Sequence, residues 1–341
     1  MTENDLCSEQ ELKDASVKLE RVKDALNTVI FGQGELIEEV MVGMLSGGHI
    51  LLEGLPGLGK TSLVKGLSAA LGLSASRIQF TPDLLPGDIT GNPMLQEVDG
   101  ERSFVFQQGP LFANLVLADE INRASPKTQS ALLEGMQESS VTVMGESHVL
   151  PRPFFVLATQ NPIELEGTYT LPEAQLDRFL FKILLQRNSV EVLEEIVRKR
   201  EIGVDAEVEQ VLSLKEFTGL TELARKIYLP DVVSAYIARL VHQTHPEEGE
   251  DLAKIKYGAS PRAALALAGA SKARALWQGR PNTSFEDVQA VAYPVLRHRL
   301  ILDYTARMEG VTTDDVVKAL LEKVPVQPQE QPNSLSAAKI H

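Results

Sequence analysis

The segment Gly54-Leu55-Pro56-Gly57-Leu58-Gly59-Lys60-Thr61 constrains the fold of this chain more than any other part of its sequence. The apolar run Ile50-Leu51-Leu52 predicts a strand that enters the segment, and residues 62–71 predict a helix that leaves it and stops at Gly72. In this setting glycines let backbone N–H groups turn inward around phosphate oxygens, and the helix N-terminus adds partial positive charge. The spacing and the flanking elements therefore predict a phosphate-binding loop rather than a chance glycine-rich turn.

Two side chains of this loop have chemistry suited to a nucleoside triphosphate. Lys60 can reach the β- and γ-phosphates, and the Thr61 hydroxyl can ligate Mg²⁺. The residues predicted to bind the nucleotide at this loop are Gly54, Pro56, Gly57, Gly59, Lys60, Thr61 and Ser62.

Length and charge limit the kinds of protein that this chain can be. With 341 residues it has room for two domains. Its net charge of -14 argues against non-specific nucleic-acid binding as the main task, although a local basic patch stays open. The polar, acidic start is no signal peptide, and no apolar run approaches the roughly 18 residues that span a bilayer. We therefore expect a cytoplasmic protein that does not insert into membranes.

Short apolar runs alternate with helical patterns as far as about residue 188. This alternation predicts an α/β domain, 1–188, whose parallel sheet is covered by helices on both faces. A charge-rich amphipathic helix is expected over about 9–26. The predicted sheet strands are the 50–52 run, 78–80, 115–118, 154–158 and 181–185, with helices at 128–137 and 173–179.

Strand signals stop after Asn188, and helical patterns continue to about residue 325. They predict a second, all-helical domain over 189–325, followed by a loose tail over 326–341. Ser260 before Pro261 is typical of a helix N-cap, and Ser284 with Asp287 resembles a capping box. The predicted helices are 190–202, 213–227, 231–245, 261–277, 284–300 and 314–324.

Two carboxylates follow the apolar strand Leu115-Val116-Leu117-Ala118. Residues at the carboxyl end of a strand in an open parallel sheet lie beside the phosphate loop. Asp119 would then hold Mg²⁺ through water, and Glu120 would orient and polarise the attacking water in hydrolysis of the triphosphate. The alternative is a strand that ends at a charged surface turn.

Asn161 follows the next apolar strand, 155–158, after two further polar residues. An asparagine there can reach the γ-phosphate or the attacking water. Taken by itself, Asn161 is better explained as a turn former before Pro162.

Together, the Lys60 loop, the Asp119-Glu120 pair, Asn161 and the helical second domain resemble an AAA+ ATPase. Over about residues 15–325 the chain more closely resembles the MoxR subfamily, which implies an AAA+ core with a five-stranded parallel sheet and a helical lid that bind ATP and Mg²⁺. The motifs that carry this resemblance are Ala118-Asp119-Glu120-Ile121-Asn122-Arg123-Ala124, Ala158-Thr159-Gln160-Asn161-Pro162, Gly167-Thr168-Tyr169-Thr170-Leu171-Pro172-Glu173-Ala174-Gln175-Leu176-Asp177-Arg178-Phe179 and Pro294-Val295-Leu296-Arg297-His298-Arg299.

The resemblance implies two further catalytic residues beside Glu120. Asn161 is similar to the sensor-1 residue of the family. Arg178 matches the arginine finger that enters a neighbouring subunit's site, where a guanidinium neutralises charge on the transferred phosphoryl group. The alternative for Arg178 is an exposed ion pair with Asp177.

The resemblance also assigns roles in nucleotide binding to one residue of the lid and to one segment near the start of the chain. Arg262 resembles sensor 2 at the beginning of a lid helix. Its alternative is a solvated first-turn arginine, although a cation is mildly unfavourable at a helix N-terminus. Phe31, Gly32 and Gln33, in the segment 29–33, resemble the residues beside the adenine, although the segment could equally be a strand and turn.

Two loops distinguish the subfamily. Residues 81–105 match the helix-2 insert of a wider clade, and Val141-Thr142-Val143 with His148-Val149-Leu150 predict a hairpin around Gly145. Insertions on a ring ATPase usually face a substrate or partner, whereas the alternative for both loops is an ordinary surface hairpin.

The function implied by the resemblance is that of a homo-oligomeric ring, expected to be hexameric, which hydrolyses ATP and acts as a chaperone on client proteins. A protein with a von Willebrand factor A domain is the expected partner, with metal or cofactor insertion as one possible task. Two alternatives remain. One is a DNA-remodelling motor, which the acidic balance and the lack of basic-aromatic patches disfavour. The other is a nucleotide-gated scaffold with little turnover.

Overall fold

The computed structural model describes residues 7–55, 57–98, 101–162, 169–199, 201, 208–245 and 254–326. The strands in these ranges are β1 (Ile50–Glu53), β2 (Ala75–Gln79), β3 (Gly91–Val98), β4 (Glu101–Gln108), β5 (Leu115–Asp119), β6 (Ser140–Val143), β7 (Glu146–Val149), β8 (Phe155–Gln160), β9 (Phe181–Leu184), β10 (Ile255–Tyr257) and β11 (Ile301–Leu302). The helices are α1 (Glu9–Asn27), α2 (Gly34–Leu45), α3 (Lys60–Leu71), α4 (Pro86–Thr90), α5 (Pro126–Glu138), α6 (Glu173–Leu176), α7 (Val190–Lys199), α8 (Leu214–Lys226), α9 (Asp231–His242), α10 (Pro261–Trp277), α11 (Phe285–Leu296), α12 (Tyr304–Met308) and α13 (Thr313–Lys323).

Among the described residues, five parallel strands form the central sheet in the order β2-β5-β8-β1-β9, which confirms the predicted five-stranded parallel sheet. The pairs Leu117 with Leu157 and Ile50 with Leu157 keep β5, β8 and β1 in level register. The carboxyl ends of these three strands therefore meet at one edge of the sheet. The phosphate-binding loop, Asp119 and the end of β8 are brought together there.

Both faces of the sheet are buried. On β5, Leu115 and Leu117 pack into a large apolar cluster that also contains residues of α1, α3 and the helices α8 to α11. Val116 and Ala118 point to the opposite face and pack with residues of α5 and β6. Because helices cover both faces, these strands are continuous apolar runs, which explains why the sequence predicted them.

The helix α2 is the main element that the sequence did not predict. Residues 29–33 form the turn before it, so the strand considered for that segment is wrong. α2 buries Ile37, Val40, Met41 and Met44 completely, and other positions around its circumference are buried too. A helix buried nearly all round lacks the one-sided apolar stripe by which an amphipathic helix is recognised.

Three other predictions need correction. β2 was expected to be buried, but it is an edge strand and its Gln79 is exposed. The helix predicted over 173–179 ends at Leu176, because the N–H groups of Arg178 and Phe179 donate to carbonyls three residues earlier and tighten the turn. The helix predicted over 284–300 ends at Leu296, and the chain then turns back towards the core.

Within its described residues, the lid, α7 to α13, is helical apart from an antiparallel ribbon of β10 and β11. Such short strands show no period of two residues, so the sequence did not predict them. Ser260 occupies the N-cap position of α10, and the Ser284 N–H donates to Asp287 Oδ2 at 2.8 Å, as expected for a capping box. Among the described residues, every helix is too short or too polar to span a bilayer.

The insert predicted over 81–105 consists of α4 and the antiparallel hairpin β3–β4, and its hairpin extends to Gln108. The second predicted hairpin is present as β6 and β7. Phe106 of β4 stacks on His148 of β7, with ring centroids 3.8 Å apart and an interplanar angle of 15°. The two hairpins are therefore in contact with each other.

Some sequence predictions fall outside the described residues. These are Pro56 of the phosphate-binding loop, residues 167–168 of the motif that ends at Phe179, parts of the helix predicted over 190–202, and the predicted tail after Val326.

Candidate active site

The phosphate-binding loop connects β1 to α3. Gly57 and Gly59 have φ angles of 85° and 84°, a left-handed conformation that side chains with a Cβ rarely adopt. α3 begins at Lys60, and because the first N–H groups of a helix have no intrahelical acceptor, those of α3 can bind an anion. The two glycines therefore allow backbone N–H groups to turn towards a bound phosphate, as the sequence predicted.

A cleft of about 420 Å³ lies between this loop and the carboxyl ends of the neighbouring strands. Its lining brings together most of the residues predicted from the loop, the two carboxylates and the end of β8. Arg77 and Gln79 of β2 also line it, and the sequence did not predict them. The lining residues are Gly57, Gly59, Lys60, Thr61, Ser62, Arg77, Gln79, Asp119, Glu120 and Asn161.

Lys60 points along the loop towards these carboxylates. Its Nζ donates a hydrogen bond to the Gly54 carbonyl oxygen at 2.9 Å. Burial lowers the pKa of Lys60, while the charges of Asp119 and Glu120 raise it. A half-buried ammonium group beside two carboxylates is placed to balance the charge of a bound polyphosphate.

Thr159 of β8 connects the two carboxylate residues. The Thr159 hydroxyl donates a hydrogen bond to Asp119 Oδ1 at 2.7 Å. The Thr159 Oγ1 atom also accepts a hydrogen bond from the Glu120 N–H at 2.8 Å. Glu120 has a φ of 57°, which is left-handed and uncommon for a residue with a side chain. Backbone strain at a cleft carboxylate is typical of a functional residue, and the Thr159 bond stabilises it.

One further oxygen of each carboxylate is held by basic or amide groups. Arg77 Nη2 donates to Asp119 Oδ2 at 2.7 Å. Glu120 Oε2 accepts from Gln79 Nε2 at 3.0 Å and from Arg123 Nη1 at 2.9 Å. Both carboxylates therefore keep a defined orientation at the mouth of the cleft.

Signals for these partners exist in the sequence. Arg77 and Gln79 are two residues apart at the end of β2, so both point to the same side of the strand as it reaches the cleft. Arg123 lies three residues after Glu120, within a single 3-10 turn. However, the pairing of β2 with β5 must be known before Arg77 and Gln79 can be assigned to the cleft.

The donor set of the cleft fits a magnesium ion. The Thr61 hydroxyl and the Asp119 carboxylate both line it, and Mg²⁺ prefers oxygen ligands of this kind, together with substrate phosphates. Among the described residues, no cluster of three His, Cys, Asp or Glu side chains could hold a metal by itself. The set is therefore suited to an ion that shares its ligands with a phosphate.

Arg178 lies outside this cleft. Its Nη1 donates to the Leu133 carbonyl oxygen on α5 at 3.0 Å, and it lines a second cleft of about 270 Å³ with Glu134 and Glu138. In the described residues Asp177 pairs with Arg299 and Arg262, so the ion pair considered between Asp177 and Arg178 is wrong.

Arg262 also lies outside the cleft lined by Lys60. It is in the first turn of α10, its side chain is 59% exposed, and its Nη1 is 3.5 Å from Asp177 Oδ2. This first-turn arginine is thus largely solvated but has one anionic neighbour.

The Phe31-Gly32-Gln33 turn packs against the start of the lid. Gln33 Nε2 donates to Asn188 Oδ1 at 2.6 Å, and Lys199 Nζ of α7 is 5.5 Å from the centre of the Phe31 ring. A Cβ at Gly32 would lie 2.1 Å from Val192 Cγ2, so only glycine allows this close approach. The turn is therefore fixed between the core and α7. Its three residues are not among those that line the cleft.

The chain matches two family models. Residues 49–181 match the family described as the ATPase family associated with various cellular activities (AAA), and residues 252–320 match the AAA lid domain. The first match contains the phosphate-binding loop, both carboxylates, Asn161 and Arg178, and the second contains Arg262.

Several proteins are similar to this chain over most of their length. Chaperone MoxR1 of Mycobacterium tuberculosis is 43% identical over 311 residues, which are 90% of this chain and 81% of that protein. The uncharacterized protein YeaC of Bacillus subtilis is 41% identical over 92% of this chain and 97% of its own length. Protein MoxR of Paracoccus denitrificans is 32% identical over 92% of this chain and 98% of its own length.

A solved structure has the same fold. A crystal structure of a Cytophaga hutchinsonii protein provisionally assigned as an ATPase has a TM-score of 0.86 and 41% sequence identity. The match covers 93% of this chain and 97% of the other.

Proposed function

This chain belongs to the MoxR family of AAA+ ATPases, and from that membership we propose that it binds ATP with Mg²⁺ and hydrolyses the ATP to remodel or activate client proteins. The observation that carries the proposal is the convergence of Lys60, Asp119, Glu120 and Asn161 on one cleft beside the phosphate-binding loop.

Each of these residues has a distinct part in the proposed reaction. The loop amides and Lys60 bind the phosphates, while Thr61 and Asp119 would hold Mg²⁺. When bound, the ion neutralises charge on the phosphate oxygens. Glu120 orients and polarises the attacking water, and Asn161 contacts the γ-phosphate or that water.

The proposed site is completed by residues from outside the cleft. We assign Arg178 to the site of a neighbouring subunit, because it lines a separate cleft of its own chain on α5 and α6. Arg262 is assigned to the γ-phosphate of ATP, either in its own subunit or in a neighbouring one. Phe31, Gly32 and Gln33 are assigned to the adenine. The role of Arg178 requires a homo-oligomer, which we propose to be a hexameric ring.

We further propose that the chain acts in the cytoplasm as a chaperone, like its Mycobacterium tuberculosis relative Chaperone MoxR1. A partner with a von Willebrand factor A domain and a task in metal or cofactor insertion belong to the same proposal. The two hairpins, β3–β4 and β6–β7, are the surfaces proposed to meet client or partner, since Leu95 and Phe104 on the first are 56% and 70% exposed.

A pair of variants tests the proposed chemistry. Lys60→Ala is expected to weaken nucleotide binding, because it removes the cation that faces the phosphates. Glu120→Gln is expected to bind ATP normally and to lose most turnover, because only water activation changes. Glu322→Gln, the same change on the exposed face of α13, is the control and should leave both quantities unchanged.

Equal loss of binding in Lys60→Ala and Glu120→Gln would contradict the role given to Glu120. Steady-state ATPase assays with and without single-stranded DNA separate the other functions. Stimulation by DNA would favour a DNA-remodelling motor, and binding without turnover would favour a nucleotide-gated scaffold. Capture of proteins from the native host by the Glu120→Gln variant would then identify the client.

A further inference from the structure

Asp177 receives contacts from two separate parts of the lid. It follows α6 in the core, and its side chain is 18% exposed. Its Oδ1 accepts from Arg299 Nε at 2.8 Å. Its Oδ2 accepts from Ser260 Oγ at 3.3 Å and lies 3.5 Å from Arg262 Nη1. One core carboxylate is therefore shared by two lid arginines.

The two arginines are held very differently. The Arg299 side chain is only 4% exposed, and it also donates to the carbonyl oxygens of Asp177, Phe179, Leu180 and Val295. Breaking such a buried and fully hydrogen-bonded pair would leave an uncompensated charge. Arg262 is 59% exposed and contacts Asp177 at the longer distance, so that its pair is weak and readily broken.

The start of α10 is docked on the same carboxylate. Within the described residues, Ser260 Oγ caps no amide of its own helix and donates to Asp177 instead. A carboxylate at a helix N-terminus interacts favourably with the helix dipole, whereas Arg262 in the first turn interacts unfavourably with it. Asp177 thus compensates for the placement of a cation at this end of α10.

We propose that Asp177 is a positioning residue that competes with the γ-phosphate of ATP for Arg262 and thereby sets how well the chain distinguishes ATP from ADP. This inference rests on the proposed function, which takes ATP as the ligand of the cleft and assigns Arg262 to its γ-phosphate. To bind ATP with Arg262 engaged, the chain must first break the pair between Arg262 and Asp177. ADP has no γ-phosphate and leaves that pair intact, so only ATP binding is weakened by it.

The variant Asp177→Asn tests this competition. The amide oxygen can still accept from Arg299 Nε, but the charge that attracts Arg262 is removed. Equilibrium binding of fluorescent ADP and of an ATP analogue with a non-hydrolysable γ-phosphate is the measurement. The affinity for the ATP analogue should rise about two- to fivefold, the range expected for an exposed ion pair, while the affinity for ADP stays unchanged.

A double-mutant cycle shows whether the effect acts through Arg262. Arg262→Ala should weaken binding of the ATP analogue but not of ADP. Adding Asp177→Asn to Arg262→Ala should then change neither affinity. The matched control is Asp314→Asn, which removes a carboxylate that binds Arg297 through two hydrogen bonds of 3.0 Å. It should leave the ratio of ATP to ADP affinity unchanged even if it lowers stability.

Asp177→Asn could fail to fold because Arg299 loses its counter-charge. The double variant Asp177→Asn with Arg299→Gln removes both buried charges and has the same expected result. An unchanged or lower ratio of ATP to ADP affinity in a folded variant overturns the inference. If the wild-type chain binds neither nucleotide, the proposed function is itself overturned, and the inference with it.

Discussion

At the scale of single residues, Thr159 organises the candidate active site. It is fully buried on β8, and its one hydroxyl is bonded both to the Asp119 carboxylate and to the Glu120 N–H. The residue that would hold the metal and the residue that would activate water are thus fixed relative to each other by a single oxygen atom. The hydrogen bond from Thr159 matters more for Glu120 than for Asp119, because the left-handed backbone conformation of Glu120 is intrinsically unfavourable.

Thr159→Val keeps the shape of this side chain but removes the hydroxyl. We expect kcat for ATP hydrolysis to fall roughly ten- to hundredfold through misplacement of the Glu120 carboxylate, with a smaller effect on KM. The half-buried Glu120 N–H loses its acceptor, so the free energy of unfolding should fall by about 1 kcal/mol. Steady-state kinetics and urea unfolding measure the two effects.

Thr159→Ser is the control because it keeps the oxygen and loses only the methyl group. It should retain most of the wild-type kcat. If Ser and Val variants lose turnover equally, the methyl packing of Thr159 matters rather than its hydroxyl, and the role given to this oxygen is wrong.

At the scale of elements, the insert is anchored at its base. Leu84 is half-buried against the apolar cluster of α5, and its carbonyl oxygen accepts from Thr128 Oγ1 at 2.7 Å. The next residue, Leu85, is 64% exposed. Adjacent leucines that look equivalent in the sequence therefore have different roles, one in holding the insert to the core and one at the surface.

This difference predicts different effects of the same substitution. Leu84→Ser should lower the free energy of unfolding by about 1–2 kcal/mol, because half-buried apolar surface is lost. Leu85→Ser should change it by less than about 0.5 kcal/mol. Chemical denaturation of the two variants measures this, and each serves as the control for the other. Equal destabilisation would show that both leucines anchor the insert.

The elements also show how far the sequence could predict the molecule. The sheet strands were predictable because burial on both faces makes them apolar runs, and the loop before Lys60 has a fixed spacing. The helix α2 was not predictable, because it is buried around most of its surface. Gln79 and Arg77 reach the cleft only because β2 pairs with β5. The contact of both Arg262 and Arg299 with Asp177 depends on how the lid packs against the core. Sequence patterns record local periods, whereas these contacts depend on the order of strands and the docking of the lid.

At the scale of the whole molecule, three titratable groups dominate the coupling of stability to pH between about pH 5 and 6.5. Desolvation lowers the pKa of His49 to about 4 and that of His298 well below its usual value. Desolvation raises the pKa of Glu39 to about 7, against the opposing charge of Arg297. Between about pH 5 and 6.5 the unfolded chain therefore binds more protons at the histidines, and the folded chain binds more at Glu39.

Near pH 5 Glu39 offsets about one histidine, which leaves a net uptake of about one proton on unfolding. The uptake shrinks towards pH 6.5, because the histidines of the unfolded chain lose their protons there. The free energy of unfolding should therefore fall by about 1.4 kcal/mol for each pH unit of acidification near pH 5, and by less near pH 6.5. Glu39→Gln removes the offset, so its slope should be about twice as steep. Urea unfolding at several pH values in this range measures both slopes. A shallower slope in Glu39→Gln than in the wild-type chain would contradict the raised pKa of Glu39.

The last prediction concerns contacts between copies of the chain. Arg178 and the cleft of Lys60 lie at different places on one chain, so a finger role for Arg178 requires a second copy. Arg178→Ala and Lys60→Ala should each lose ATP hydrolysis, but a mixture of the two should recover part of it. In the mixture, an intact cleft on an Arg178→Ala subunit can receive Arg178 from a Lys60→Ala neighbour.

The control for this recovery is a mixture of Lys60→Ala with Glu120→Gln. Both residues line the same cleft, so every site in that mixture lacks one of them and no activity should return. Rates should be measured across mixing ratios and total protein concentrations, because assembly makes the rate per chain depend on concentration. If the wild-type rate per chain is independent of concentration down to conditions where the protein is monomeric, Arg178 does not act between subunits.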